Sequence, residues 1–463
     1  MTTTPTPQQL VEHVLATSTS HHSVAIAQSS TSANLRWANN TLTTNGEMRA
    51  QVLTVIAFAV EAAGVRVGSV TGTATSLAQA TALTEAADAA ARSAEFAEDA
   101  AELVAGVAAA DWALPPEETG IGVYADIAVG LGESFGQARA GGRVLYGFID
   151  HEVTTSYLGS SAGLRLRHVQ PTGHWGCTAK TSDLASSAWL GGSGRDFSAL
   201  DAAGLDQTLA RRLGWAARTV ALPAGRYDTV LPPSSVADLL IYAYWNSAAR
   251  VAHEGQSVYS RRGGGTRISE RIVSPQVQVF SDPAYPGLQA APFVIAPSSS
   301  VTGSVFDNGL PLARTDWIRD GVLSALMQTR HTSALTGQPT TPGIDNLVLE
   351  VDGGSGSVDD LVADVERGLL VTSLWYIREV DPQSLLLTGL TRDGVYLVEN
   401  GEVTGAVNNF RFNESPIDLL QRFSAAGTTA PSFSREWGDY FPRTATPALR
   451  VPDFNMSSVS QAQ

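Results

Sequence analysis

The stretch VLPPSSVADLLIYAYWNSAARVAHEG, residues 230–255, divides the chain and sets the character of its second half. Pro232 and Pro233 precede a helix that Ser234 or Ser235 can cap, with Asp238 completing a Ser-x-x-Asp box from Ser235. Val236, Leu239, Leu240, Ala243, Ala248 and Val251 recur at helical spacing and give it one apolar face, which Gly255 ends. Just upstream, Pro223, Ala224 and Gly225 break the preceding pattern. The spacing therefore predicts two regions, 1–225 and 226–463, in keeping with a length that exceeds the ~100–200 residues of one ordinary domain.

On the N-terminal side, Leu10, Val11, Val14 and Leu15 predict a short opening helix over 8–17. The β-rich runs 22–27, 33–38, 51–57 and 65–70 predict successive antiparallel strands. The Ala-rich stretch 76–110 predicts one or two helices on that sheet, ended by Pro115 and Pro116, where the region can divide into two subdomains. A further helix around 121–140, strands over 144–149, 153–157 and 164–168, and a helix over 198–220 complete this half. Beyond 255 the pattern is mostly strand, at 268–273, 276–280, 293–295, 347–351, 385–390 and 394–399, with a capped helix at 357–366 and a polar tail expected to fray after Met456. The fold class is α+β: an N-terminal α/β region with an antiparallel sheet and Ala-rich helices, followed by a β-rich C-terminal domain.

Composition narrows the function. With 43% hydrophobic and 16% charged residues the chain is of the globular class. A formal net charge of −15, with Lys180 the only lysine and no basic run, argues against a nucleic-acid partner. Cys177 stands alone, which excludes an intrachain disulfide and fits a reducing, cytoplasmic compartment. No secretory signal is visible over residues 1–10, and the apolar run 52–60 is far short of a membrane span, so no membrane is expected.

Four local patterns carry possible chemistry. His168, His174 and Cys177 offer zinc-type ligands, but residues 170–173 read as a hairpin connection and no fourth ligand accompanies them. His151, between Asp150 and Glu152, could act as a base but has no nucleophile tied to it. His253-Glu254 begins like a zincin motif, yet Ser257 and Val258 stand where a second histidine would have to be, and a histidine at a helix C-terminus is favoured by the dipole alone. The run 261–265, Arg-Arg-Gly-Gly-Gly, lacks the order of a phosphate loop and reads as a flexible turn.

The order of segments in the second half resembles the TldD/PmbA family: VLPPSSVADLL, GQSVYSRRGGGTRISERIVSPQVQVFSDP, VFDNGLPLARTDWIRDGVL, SALTG, LVLEVDGGSGSVDDLVADVERGLLVTSLW and YLVENGEVTGAVNNFRFNESPIDLL. ANLRWANNTL and YGFIDHEVTTSYLGSSAGLRLRH extend the likeness into the first half. The resemblance implies a pair of related subunits, of which the catalytic one carries H-E-x-x-x-H after a Leu-Leu. Laid on Leu239-Leu240, that motif falls on Ile241, Tyr242 and Asn246, none of which replaces a zinc ligand or its carboxylate. Positions five apart lie about 140° apart around a regular helix, and Ala243, Tyr244 and Trp245 favour a regular helix here, without the family's glycine. The family's late cysteine ligand is also missing, since Cys177 lies in the first half.

The resemblance therefore implies the TldE/PmbA-type subunit. No catalytic residue and no metal ligand is assigned to this chain, zinc is expected in a TldD-like partner, and unstructured peptides are the expected substrates. Tyr242, Trp245 and Asn246 are expected to occupy the vacated metal position. Two alternatives stand beside this reading: a self-sufficient hydrolase around His151 or His174, and a peptide-binding homo-oligomeric scaffold.

Overall fold

Strand formation in the first half follows the alternation of its residues. In a computed structural model that describes residues 4–198 and 200–460, the runs 22–27 and 33–38 join into one strand, β1 (His22–Ala38). Gln28, Ser30 and Ser32 bridge them because they share one face of the sheet while Ala27 and Ala33 are buried on the other. β1 is followed by β2 (Thr41–Glu61), β3 (Gly64–Thr73), β4 (Arg143–Ser160), β5 (Arg165–Thr181) and β6 (Ser187–Gly194). These form one antiparallel sheet in the order β3-β2-β1-β4-β5-β6. Asn39 and Asn40 take the left-handed backbone (φ 50° and 58°) that a two-residue hairpin requires. Residues 170–173 are not a hairpin connection: they continue β5 against Glu152 and its neighbours on β4.

The odd-numbered positions of these strands carry the helices. α1 (Pro7–Thr17) and α2 (Leu77–Ser93) pack Leu10, Val14, Ala80 and Ala87 on Ala25, Leu53, Val55 and Tyr157. α3 (Ala125–Ala140) and α4 (Leu205–Trp215) pack Ile127, Leu131, Phe135 and Leu209 on Leu35, Trp37, Ile149 and Cys177. The Ala-rich stretch yields one helix because, past Ser93, the backbone turns to bond the edge of β3, Ala97 N–H donating to Val65 O. The helix expected over 198–220 is confined to α4, since Thr219–Val220 leaves it to pair with Ala406 and Val407. At one end of the opposite, even-numbered face, Ile26, Ile56, Phe58 and Leu158 meet Phe293, Val305 and Phe306 of the second half.

The second half is built around α5 (Pro233–Trp245), which lies between a six-stranded and a ten-stranded sheet and is buried nearly all round. Leu239, Leu240 and Ile241 share a core with Val277, Val279 and Leu347 of the first sheet and with Leu369, Val371 and Leu397 of the second. The single helix expected up to Gly255 is interrupted. Asn246 Nδ2 and Ser247 Oγ donate to the Tyr242 and Tyr244 carbonyls, and the chain then pairs Ala248 with Met327 before α6 (Ala249–His253) begins. The Ser-x-x-Asp box does not form, because Ser235 Oγ donates to Val371 O and Asp238 is used elsewhere. The box at Ser357 and Asp360 does form.

Three other expectations change, the first being the strand at 293–295, where Phe293 makes only an isolated bridge to Pro311. Residues 268–273 are irregular rather than a strand, turned by Ser269 in the left-handed region (φ 73°) and bonded through Ile272 and Val273 to Gly321 O. The tail does not fray at Met456: Leu449–Val459 is a strand held between Phe410–Glu414 and Gly225–Leu231. Residues 1–3, Ala199 and 461–463, on which parts of the N-terminal, helical and tail expectations fall, lie outside the described residues. Among the described residues no helix is long and apolar enough to cross a membrane.

Asp238, 1% exposed, ties α5 to the late segment 433–443. Its Oδ1 accepts from the Ser434 hydroxyl and from Glu436 N–H at 3.0 Å, and Trp437 N–H donates to Ser434 Oγ at 2.9 Å. Burial pushes the carboxyl up to about 7 against the pull of these hydrogen bonds. A folded-state value above that of the unfolded chain means that the stability this group contributes is full below about pH 4 and is lost as pH rises through about 7. Asp238→Asn keeps the acceptor oxygen and cannot ionise. The variant is expected to lose a decline of a few kcal/mol that the wild type shows between about pH 4 and 7. Urea unfolding across that range checks this, and a flat wild-type profile would refute it.

Candidate functional site

Between the even-numbered face of the N-terminal sheet and the second half lies a groove of about 830 Å³. The alternation that puts apolar residues under the helices puts Gln28 and Ser32 of β1, Asp150, Glu152, Thr154 and Ser156 of β4, and His168, Gln170, Thr172 and His174 of β5 along this floor. Its other wall comes from residues 291–312, from Gly343 and Asp345, and from residues 438–443. The floor is rich in hydroxyls and amides, several already bonded across strands, as Ser30 to Thr154 (2.6 Å) and Gln28 to Ser156 (3.2 Å).

The three zinc-type residues of β5 do not converge. His168 and His174 face the groove, whereas Cys177, at an odd position, is buried under α3 and α4 with its thiol pushed up to about 12 by burial. His168 Nε2 lies 3.1 Å from Gln170 Oε1, and burial holds its pKa below the ordinary value. His174 stacks on Phe433 at 5.8 Å, with Nε2 3.5 Å from Asp439 and 3.9 Å from Asp150. Burial raises the Asp150 carboxyl, opposed by the charges of His174 and Arg36 and reinforced by that of Asp439. Arg443 closes this end: it donates to Thr172 Oγ1 at 3.0 Å and pairs with Asp345, and burial lowers its pKa to about 10.

His151 points to the helix-covered side, where Nε2 donates to Arg195 O at 2.9 Å and Nδ1 accepts from the Thr119 hydroxyl at 2.7 Å. Both ring nitrogens are committed, which leaves no free base. His253 ends α6, where its carbonyl accepts from Gly265 N–H, and Glu254 pairs with Arg250 at 3.0 Å. In the run 261–265, Arg261 pairs with Glu270 at 2.7 Å and the three glycines take φ of 92°, 110° and 84°, a turn whose Gly264 N–H bonds back to Arg261 O.

The positions that resemblance assigns to a vacated metal motif are occupied structurally. Ile241 is fully buried in the core. Tyr242 Oη donates to Ile377 O at 2.8 Å, and Asn246 Nδ2 to Tyr242 O at 3.0 Å. Tyr242, Trp245 and Trp437 form a ring cluster with centroids 5.3 Å apart for the two pairs with Trp437 and 6.1 Å for Tyr242 with Trp245. An aliphatic side chain, a phenol and an amide already engaged with backbone do not fit zinc, which takes thiolate, imidazole or carboxylate donors. Among the described residues no group of three or more His, Cys, Asp or Glu side chains is arranged to hold a metal.

Sequence reasoning misses Asp238 and the segment 433–443. The Ser-x-x-Asp pattern assigns Asp238 to a cap because it is a local pattern, while the actual partners are nearly 200 residues away, |i−j| = 196 and 198. The available signal is an acid inside a run otherwise apolar enough to be buried.

A family model described as the PmbA/TldA metallopeptidase C-terminal domain matches residues 224–458. No curated protein matches the sequence. Among solved structures, TldE from Thermococcus kodakarensis is similar with a TM-score of 0.76 at 17% identity, covering 97% of this chain and 99% of that one. A protein described as a candidate modulator of DNA gyrase from Bacteroides thetaiotaomicron is similar with a TM-score of 0.75 at 16% identity, covering 98% of each chain. Another so described, from Thermotoga maritima, has a TM-score of 0.74 at 16% identity, covering 97% of this chain and 99% of that one. At such identities these structures speak for the fold, and the family rests on the model that covers α5 and all but the margin of the two C-terminal sheets: the chain belongs to the TldD/PmbA family.

Proposed function

We propose that this chain is the non-catalytic, metal-free subunit of a two-component TldD/PmbA-type zinc metallopeptidase of the cytoplasm, serving as scaffold and guide for unstructured peptides. The observation that carries the reading is the fate of positions 241, 242 and 246: their side chains are spent on core packing and backbone hydrogen bonds, while the helix and sheets around them persist. The groove supports the second element of the reading. A floor of hydroxyl, amide and imidazole groups offers partners to a main chain without demanding a particular side chain.

A self-sufficient hydrolase is the competing reading, and the pairing of His174 with Asp150 and Asp439 is what favours it. No hydroxyl or thiol among the described residues hydrogen-bonds His174, so a nucleophile activated in that way is lacking.

The purified chain is expected to contain well under one zinc per molecule by elemental analysis and to hydrolyse no unfolded peptide until a zinc-bearing homologue is added. Zinc at one per chain, lost together with activity in His168→Ala or Cys177→Ala, would overturn the proposal. Pull-down from the native lysate is expected to recover a homologue carrying H-E-x-x-x-H, and a clean recovery of this chain alone would count against the partner.

A further inference from the structure

Strand β2 is paired on both sides for only half its length. β1 accompanies it from Thr41 onward, but β3 joins its other edge only between Val52 and Glu61, with Ala74 N–H donating to Gln51 O just before. Over residues 41–50 no backbone partner among the described residues meets the outer edge, and every residue there is exposed except the half-buried Gly46. At ~3.3 Å per residue the open edge is about 33 Å long.

The alternation of an antiparallel ladder fixes which groups are free. Gln51 O points outward, so at every second residue, Arg49, Glu47 and Asn45, N–H and C=O also point outward, while Gly46, Met48 and Ala50 bond β1. The one bulge in this pairing, which displaces Thr43, lies beyond that run. Two of the devices that close an edge are missing: residues 41–50 contain no proline and no lysine. The two charges present are drawn off the edge, Glu47 accepting from Ile121 N–H at 2.6 Å and Arg49 pairing with Glu118 at 2.6 Å. On the opposite face Met48, 66% exposed, lines the groove together with Gln28 and Ser32. The open edge and the groove are therefore one continuous surface.

We propose that residues 44–50 of β2 take up an extended segment of an unstructured peptide by strand addition and so deliver it along the groove. The inference rests on the peptide-guiding reading above for its class of ligand and adds the docking element. The edge stops where β3 begins and borders the hairpin turn at Asn39 and Asn40, so it accepts a short extended segment in the place that a longer β3 would fill. Recognition through N–H and C=O reads extension rather than sequence.

The test uses the full chain and a short fluorescein-labelled peptide of alternating serine and threonine. Hydrogen exchange at Asn45, Glu47 and Arg49 is expected to slow when the peptide is added. Asn45→Pro combined with Arg49→Pro deletes two outward N–H groups without touching the ladder to β1, and is expected to weaken binding by at least about tenfold. The corresponding threonine pair, which keeps both N–H groups, is expected to bind as the wild type does. If the double proline variant does not fold, Asn45→Pro alone and exchange on the wild type decide. Undiminished binding by the proline variant, or protection that avoids 45–49, overturns the inference. Protection that grows with protein concentration in the absence of peptide also overturns it, since a second copy would then own the edge. Hydrolysis by the partnered complex without edge protection removes this inference alone, whereas loss of both binding and hydrolysis removes the peptide-guiding reading as well.

Discussion

The carboxyl of Asp238, held inside the second half by the Ser434 hydroxyl and the Glu436 amide, is the contact on which the rest of the architecture turns. An ionisable group in such a place is costly unless it is neutral or bonded, and here it is bonded at one oxygen while the other has no partner among the described residues. What it secures is the path of residues 433–443. That segment sends Trp437 against Tyr242 and Trp245, Phe433 and Asp439 against His174, and Arg443 across to Thr172. α5, the ring cluster and the wall of the groove are thus coupled through one side chain.

The N-terminal sheet divides its labour by parity. Odd positions feed a helix-covered core, even positions a polar floor, and the same period explains why His168 and His174 reach the groove while Cys177 does not. A sheet of long strands with one polar face needs something to cover that face. The second half does so at one end with Phe293, Val305 and Phe306 and stands away from it elsewhere, and the space left between is the groove.

Local patterns are legible in the sequence and distant partners are not. The alternation of residues 347–351 and the capping box at Ser357 are set by neighbours, and both appear where the sequence places them. Residues 28–32 and 170–173 look like interruptions because polar side chains fall there, but on a strand with a polar face they are its regular content. The break after Trp245 has only a faint local trace, in Asn246 and Ser247, whose side chains bond back to the Tyr242 and Tyr244 carbonyls, and what fixes it is the pairing of Ala248 with Met327 across the fold. Of the site, Ile241, Tyr242 and Asn246 are singled out by resemblance alone, and Trp437, the ring that packs on Tyr242 and Trp245, lies far along the chain with no local pattern to connect it to them.

The ring cluster has an optical consequence. Trp245 and Trp437 stand 5.3 Å apart at an interplanar angle of 71°, and one of them is partly open to solvent, at 37% exposure. Two indoles so close and so inclined share their electronic excitations, which gives a signed pair of bands in circular dichroism. The spacing and inclination of these two rings thus give the end of α5 an optical signature of its own.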